Sequence, residues 1–444
     1  MAFPKDFLWG AATSAYQIEG SPLEGGAGPS IWHRFSHTSG NIRNGDTGDV
    51  ACDHYRRWRE DVALMRELGL NAYRFSISWS RLVPGGRGKP NPPGRDFYSR
   101  LIDALLEAGI RPMATLYHWD LPAELDDLGG WVNRDSLHWF ADYAETAFGA
   151  FGDRVPLWVT FNEPWMTSDS GYRTGAHAPG HRSPAEAARA AHHILCGHGA
   201  AVERFRATSR GAIGLVVNLE PKHPATDDAR DAAAVRRADA YMNRQYLDPI
   251  FFGAYPVELR EMFGDEWPLH DLKDFEWIRQ PIDFLGVNYY SRGVTRDDPS
   301  DPPIRASRTS VEGAERTGIG WEVYPDGMRE ILSWVKSRYG DLPLYVTENG
   351  SAYEDPAPAE GVVEDPRRVA YLERHIDAVS AAIAEGVDVR GYFAWSLLDN
   401  FEWTYGYSQR FGLVHVDFAT QQRTIKRSGL FYQGVARSHG AARG

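Results

Sequence analysis

Eight short stretches rich in β-branched and aromatic residues alternate along the chain with amphipathic segments of helical period. Repeated strand and helix order favours an α/β protein with a parallel sheet, and eight repeats predict a closed (β/α)8 TIM barrel. An open doubly wound sheet is the alternative, but no GxGxxG turn follows the first predicted strand, which disfavours a dinucleotide-binding fold. The predicted strands are Phe7–Ala15, Asn71–Trp79, Arg111–Trp119, Val155–Glu163, Ala212–Glu220, Asp283–Tyr290, Leu344–Gly350 and Val389–Leu397. The helical patterns include His54–Leu68, Phe97–Ala108, Arg134–Phe151, Pro184–Arg206, Gly327–Tyr339, Arg367–Glu385 and Arg427–His439.

Composition limits the partners of such a chain. Its 444 residues contain no long Pro/Gly/Ser-rich linker, so we expect one domain over residues 1–444. The net charge is −12 without a basic cluster, which disfavours nucleic acid and anionic membranes as partners. No apolar run reaches membrane-spanning or signal-peptide length, so a cytoplasmic protein is expected. Cys52 and Cys196 form no CxxC motif, no His spacing indicates zinc, and we expect reduced thiols with no metal and no cofactor.

Polar and aromatic residues follow nearly every predicted strand. In a barrel these positions meet at one rim, where TIM-barrel enzymes carry their active sites. The loops after strands are long, whereas the opposite connections, such as Gly69-Leu70, are short turns. We therefore predict a pocket walled by the long βα loops. The strand-end residues are Gln17, His118, Trp119, Asp120, Asn162, Glu163, Asn218, Asn288, Tyr290, Glu348, Asn349, Trp395, Glu402 and Trp403.

Two of these residues are glutamates in similar contexts, Glu163 after Asn162 and Glu348 before Asn349. On strands four and seven they can face each other across the barrel mouth. Glycoside hydrolysis needs such a pair, one carboxylic acid to protonate the leaving oxygen and one carboxylate to attack the anomeric carbon or activate water. A distance of about 5–5.5 Å between the two carboxyls would mean that the configuration at the anomeric carbon is retained, and roughly 6.5–9.5 Å would mean that it is inverted. The similar contexts of the two glutamates do not show which is the acid.

Seven motifs in order resemble glycoside hydrolase family 1, the β-glucosidase group, over essentially the whole chain. They are FLWGAATSAYQIEG, NAYRFSISWSR, LYHWDLP, TFNEP, NYY, VTENG and WSLLDNFEW. The resemblance implies a (β/α)8 barrel and a retaining double displacement, with Glu163 as acid/base and Glu348 as nucleophile. It also implies that Arg74 and Tyr290 keep Glu348 ionised.

The resemblance further implies a sugar-binding set in which Asn162 bonds the sugar 2-hydroxyl. The glycone residues are Gln17, His118, Trp119, Asn162, Trp395, Glu402 and Trp403, Trp321 is expected on the aglycone side, and Asn218 and Phe411 are further expected substrate-binding residues. Plant thioglucosidases lack the acid glutamate, whereas this chain has Glu163, which favours hydrolysis of O-glycosides. Relatives that act on phosphorylated sugars replace the pair Glu402-Trp403, which this chain keeps, and the carboxylate would repel a phosphate. Expected substrates are small β-glycosides such as cellobiose, short cello-oligosaccharides and aryl glucosides, with glucose, galactose and fucose open as glycones.

Two other functions remain as alternatives. A metal-dependent hydrolase on this fold could use His118, Asp120 and Glu163 as ligands, but no HxH ends the first strand and no HExxH helix exists. A barrel that only binds sugars would usually lack a catalytic carboxylate, whereas Glu163 and Glu348 are both present.

Overall fold

A closed barrel of eight parallel strands forms the centre of the protein in a computed structural model that describes residues 3–268 and 270–438. Each strand pairs with its neighbours in sequence, and β1 closes the ring against β8. The predicted (β/α)8 barrel is confirmed. The strands are β1 Leu8–Ala12, β2 Ala72–Ser76, β3 Arg111–Tyr117, β4 Leu157–Asn162, β5 Ala212–Asn218, β6 Phe284–Asn288, β7 Leu344–Asn349 and β8 Val389–Trp395.

The strands are shorter than their sequence pattern predicted. The predicted strand Val155–Glu163 narrows to Leu157–Asn162 because Pro156 has no N–H for the sheet and Glu163 turns out of it at φ 47°. The predicted strand Phe7–Ala15 was likewise too long, since Ala15–Ile18 forms a helical turn. The polar residues therefore lie at the last positions of the strands, as Asn162, Asn288 and Glu348 do, or just beyond them, as Glu163 does.

Helices surround the barrel. Those that match the predicted patterns are His54–Glu67, Pro92–Glu107, Ser136–Phe151, Pro184–Thr208, Asp326–Tyr339, Pro366–Ala384 and Arg427–Ser438, while His439 lies outside the described residues. Between β5 and β6 the chain adds Ala229–Asp239, Ala240–Arg244, Gln245–Phe252, Val257–Phe263 and Asp274–Ile278, which the sequence pattern did not single out. A π-type turn and Pro249 interrupt the apolar period there. No helix among residues 3–268 and 270–438 is long and apolar enough to cross a membrane.

Two small sheets brace the loops at the carboxyl ends of the strands. One joins Lys222–Pro224, Gly293–Asp297 and Ala306–Arg308, and the other pairs Val414–Val416 with Arg423–Ile425. They occupy the loops after β5, β6 and β8, and so they give hydrogen-bonded structure to the same rim that carries the predicted site residues.

A buried ionic cluster connects two of these loops to the start of the last helix. Lys426 donates to Asp355 of the β7 loop and to Asp399 of the β8 loop, and all three side chains are at most 1% exposed. Arg368 bridges Asp355 and Asp365 in the same cluster. Each charge has a partner, which offsets the cost of taking it out of water.

Replacing Lys426 with Met should lower the free energy of unfolding by about 3–5 kcal/mol, because it removes the cation shared by Asp355 and Asp399, which stay buried with only Arg368 and Arg410 as partners in the described residues. Urea unfolding at neutral pH would measure the loss. The matched control, Lys336→Met, removes a half-exposed lysine paired with exposed Asp341 and should cost only about 0–1 kcal/mol. Equal losses in the two variants would contradict this account of the cluster.

Candidate active site

A cavity of about 390 Å³ opens at the carboxyl end of the barrel. Both glutamates line it, together with most of the residues expected to bind sugar. Its wall is made largely of aromatic rings with a few polar groups, which is the usual make-up of a site for a small organic ligand. The predicted residues that line it are His118, Trp119, Glu163, Asn218, Tyr290, Trp321, Glu348, Trp395, Glu402, Trp403 and Phe411.

The other three predicted residues, Gln17, Arg74 and Asn162, lie in a second layer behind this wall and are fully buried. Arg74 extends from β2, donates to Thr115 Oγ1 on β3 at 3.2 Å, and continues towards the centre of the barrel mouth. Each of them hydrogen-bonds to a side chain that lines the cavity, Gln17 to Glu402, Arg74 to Glu348 and Asn162 to His118.

Glu348, at the end of β7, is held by two donors. Arg74 Nη1 donates to Oε1 at 2.6 Å and the Tyr290 hydroxyl donates to Oε2 at 2.7 Å. Burial raises the pKa of Glu348, and Arg74, Tyr290 and the nearby Asn288 amide oppose part of this rise by favouring the charged form. Glu348 is thus the carboxyl of the pair that stays ionised.

Glu163 follows β4 in a left-handed backbone conformation, φ 47°, which is strained for a residue with a side chain. Pro164 comes next and disfavours the right-handed helical conformation at Glu163. The carboxyl accepts from Asn288 Nδ2 at 2.7 Å and has no cationic side chain in direct contact within the described chain. Burial and then the charge of Glu348 raise the pKa of Glu163 to about 8, so this carboxyl is protonated at neutral pH.

Asn288, the last residue of β6, connects the two carboxyls. Its amide donates to Glu163 and also stabilises the charged form of Glu348. One amide can reach both carboxyls only when they lie close together. This agrees with a retaining enzyme, in which the two carboxyls are about 5–5.5 Å apart. Sequence analysis placed Asn288 at a strand end, in the NYY motif, but did not include it among the site residues. Its strand-end position was nevertheless an indication that it reaches the site.

The side-chain amide of Asn162 has a fixed orientation. Its oxygen accepts from Arg74 at 2.6 Å and from Asn288 at 3.0 Å, so its nitrogen donates to His118 Nε2 at 3.1 Å. His118 therefore carries its hydrogen on Nδ1. Burial, followed by the charge of Arg74, lowers the pKa of His118 well below its ordinary value, so the ring is neutral.

The carboxyl group of Glu402 and closely packed aromatic rings form the wall beside β8. Gln17 Nε2 donates to Glu402 Oε2 at 3.4 Å, and it also binds the Phe401 carbonyl. Burial and the charge of Glu348 raise the pKa of Glu402 to about 8. The Trp403 ring lies 4.5 Å, between centroids, from the ring of Trp119. This wall offers hydrogen-bonding groups beside apolar ring faces.

Trp321, expected near the aglycone, packs against two other aromatic residues that line the cavity. The Trp321 ring lies 5.1 Å from that of Tyr290 and 6.2 Å from that of Phe411, between ring centroids. Several further lining residues were missed by sequence reasoning, most of them because they lie outside the predicted strand ends, whereas Glu220 ends the predicted strand Ala212–Glu220 and could have been found there. They are Trp165, Met166, His177, Glu220, Met242, Arg308, Ile319, Thr404 and Tyr405.

The geometry disfavours the metal-dependent alternative. His118 Nε2 already accepts from Asn162, Glu163 accepts from Asn288, and Asp120 does not line the cavity. Among the described residues these three do not assemble into one set of metal ligands.

Known proteins resemble this chain along its whole length. Residues 1–441 match Glycosyl hydrolase family 1. The chain belongs to this family. It is 49% identical over 440 residues to "Beta-glucosidase A" of Thermotoga maritima, covering 99% of this chain and 98% of the relative. It is 46% identical to a "Bifunctional beta-D-glucosidase/beta-D-fucosidase" of Bifidobacterium breve, covering 99% of each. A solved family 1 β-glucosidase structure from Thermotoga maritima superimposes with a TM-score of 0.97 at 48% identity, covering 100% of this chain and 99% of the other.

Replacing Glu348 with Gln should lower the pKa of Glu163 from about 8, because it removes the charge that opposes ionisation of Glu163. The pKa should stay above its ordinary value, since burial remains. Carbon-13 NMR of carboxyl-labelled glutamate would follow the titration, with Glu163→Gln providing the assignment. Glu402→Gln, which removes a carboxyl of weaker influence in the same cavity, should lower it less; an equal or larger effect would contradict the assignment of causes.

Proposed function

We propose that this chain is a retaining β-glucosidase, organised as a single catalytic domain, that hydrolyses terminal non-reducing β-D-glucosyl residues. One observation carries the proposal. Two carboxyls share a buried cavity, and their different contacts keep Glu348 charged and Glu163 protonated. This is the state in which a double displacement starts. Membership of glycosyl hydrolase family 1 and the relatives' names support the same conclusion.

In the first step Glu348 attacks the anomeric carbon and Glu163 donates its proton to the glycosidic oxygen. A glycosyl–Glu348 ester bond forms as the bond to the leaving group breaks, and the aglycone departs as an alcohol. Arg74 and Tyr290 orient the attacking carboxylate through its two oxygens. No cofactor is required.

In the second step esterification has removed the negative charge of Glu348. The main opposing charge on Glu163 is then gone, and Glu163, now ionised, accepts a proton from water as the water attacks the anomeric carbon. The ester bond breaks, Glu348 is restored, and the sugar leaves with its original configuration. The Asn288 amide donates to Glu163 and favours the charged form of Glu348. We propose that it keeps the two side chains aligned through both steps.

Sugar hydroxyls would be recognised by the polar groups around the cavity. We assign Glu402 and Gln17 as paired acceptor and donor for neighbouring hydroxyls, and His118 Nδ1–H as a further donor. Asn162 positions His118 and lies beside Arg74, which places it to interact with the 2-hydroxyl. The rings of Trp119, Trp395 and Trp403 would contact the apolar face of the pyranose.

Aryl glucosides, cellobiose and short cello-oligosaccharides are the proposed substrates, with their leaving groups near Trp321, Asn218 and Phe411. β-D-Fucosides are a second glycone class, since one relative at 46% identity is named for both activities. A cytoplasmic location stays a prediction from the sequence.

Replacing Glu348 with Ala should lower kcat/KM on a nitrophenyl β-glucoside by roughly 10⁵-fold, because the covalent step loses its nucleophile. Glu60→Ala, at an exposed position on the first barrel helix, should leave the rate unchanged. In the wild-type protein, NMR should detect the β-anomer of glucose first. Initial release of the α-anomer, or equal rates in the wild type and Glu348→Ala, would refute the proposal.

The kcat/KM profile should decline above a pKa of about 8, because Glu163 must hold a proton in the free enzyme to act as acid. Glu163→Gln should abolish this alkaline decline. It should also slow poorly activated leaving groups such as phenol by about 10²–10⁴-fold in the first step, and dinitrophenol much less. Stopped-flow measurement of aryl release would separate the steps; equal losses for both leaving groups would show that Glu163 is not the proton donor.

A further inference from the structure

Two histidines and an aspartate form a cluster in the loop after β1, outside the cavity. His33 lies on the helix Ile31–Ser36 and His37 is the residue that ends it, so their rings fall on one face and their centroids are 4.3 Å apart. Asp49 approaches both rings, with Oδ1 3.7 Å from His33 Nδ1 and Oδ2 3.1 Å from His37 Nε2. None of the three lines the catalytic cavity.

The contact between His37 and Asp49 requires a cation. His37 Nδ1 lies 2.7 Å from the carbonyl oxygen of His33, which can only accept, so Nδ1 carries a hydrogen. In a neutral ring Nε2 then carries a lone pair and can only accept a hydrogen bond. It lies 3.1 Å from an oxygen of the Asp49 carboxylate, which is also an acceptor. Two acceptors at that distance are stabilised by a proton or a metal ion between them.

The neighbouring histidine distinguishes these two possibilities. His33 Nδ1 is buried, has no hydrogen-bond partner in residues 3–268 and 270–438, and lies beside the same carboxylate. A proton shared by His37 and Asp49 would leave this nitrogen unsatisfied. The three ligand atoms lie within 4.8 Å of one another, so small side-chain movements would bring all of them to about 2.0–2.2 Å from one ion.

We propose that His33 Nδ1, His37 Nε2 and the Asp49 carboxylate bind a divalent late transition-metal ion of the Zn²⁺ type, with water completing the coordination. Two imidazoles and one carboxylate suit zinc, whereas calcium and magnesium prefer oxygen ligands. This proposal departs from the sequence-based expectation of no metal, which overlooked the four-residue spacing of His33 and His37. Asp49 is twelve residues from His37, and only the fold brings it to the two rings. The proposed site is separate from the catalytic cavity.

A bound ion would join two segments that both contact the β8 loop. Trp32, beside His33, packs its ring 4.5 Å from the ring of Trp403. Close to Asp49, the carbonyl of Thr47 accepts from the Tyr407 hydroxyl at 2.7 Å. Metal binding should therefore stabilise this rim without being required for turnover.

The test is calorimetric titration of the EDTA-treated full chain with ZnCl₂ at neutral pH. We expect one ion per chain, and at least tenfold weaker binding in His37→Ala and Asp49→Asn. His181→Ala is the matched control, because His181 also pairs with a carboxylate, Glu186, and should leave the affinity unchanged. Circular dichroism would verify that each variant is folded, which is expected since His37 and Asp49 are more than 40% exposed.

Cobalt and thermal unfolding provide independent readouts. Co²⁺ should give visible d–d absorption in the wild type that is lost in both ligand variants, and Zn²⁺ should raise the Tm of the wild type but not of those variants. Hydrolysis of an aryl glucoside should be the same with and without Zn²⁺. Absence of Zn²⁺ binding, or equal binding by wild type and His37→Ala, would overturn the proposal and leave a protonated His37–Asp49 ion pair. Neither outcome bears on Glu163 and Glu348.

Discussion

Electrostatic repulsion between two carboxyls in one buried cavity is the constraint on which the site depends. Glu163 and Glu348 are 6% and 3% exposed, so water screens their interaction poorly and simultaneous ionisation is costly. The surrounding groups decide which of them is charged. Arg74 and Tyr290 contact Glu348 directly, whereas in the described residues the carboxyl of Glu163 is bonded by a neutral amide, that of Asn288, and by no cation. The acid and the nucleophile are thus distinguished by their neighbours, although both are glutamates at strand ends.

The barrel makes this arrangement possible because it brings distant parts of the chain to one rim. Arg74 comes from β2, Glu163 from the end of β4, Asn288 from β6 and Glu348 from β7. Hydrogen bonds from Arg74 and Asn288 meet on the side-chain oxygen of Asn162, so the charges and amides form one connected network. Such a network holds each polar group in one orientation, which reduces the reorganisation needed during a reaction.

Sequence reasoning predicted the barrel, the rim and the residues that gather there because each depends on local pattern. Strand periodicity is visible in the sequence, and a strand end marks a rim position wherever the strands close into a ring. The two glutamates could be found in this way, but Asn162-Glu163 and Glu348-Asn349 look alike, so their roles came only from the family resemblance. In the structure the contacts of Arg74 and Tyr290 with Glu348 separate them. Cavity residues such as Trp165 and His177 could not be found, since their loops have no period and reach the cavity through packing alone. The same holds for Asp49, which meets His33 and His37 only after the chain folds back.

The buried cluster around Lys426 has a consequence for how the protein acquires its site during synthesis. Asp355 and Asp399 belong to the loops after β7 and β8, and Lys426, the one side chain that bridges them among the ion pairs of the described residues, follows the last strand in the chain. A nascent chain that has emerged as far as Asp399 could close all eight strands, yet these two carboxylates would still lack the ammonium of Lys426 and would favour water over burial. The rim would then become rigid last, when the final helix docks and Lys426 neutralises the two carboxylates. Closure of the barrel and ordering of the loops around the active site would thus be separate events during synthesis.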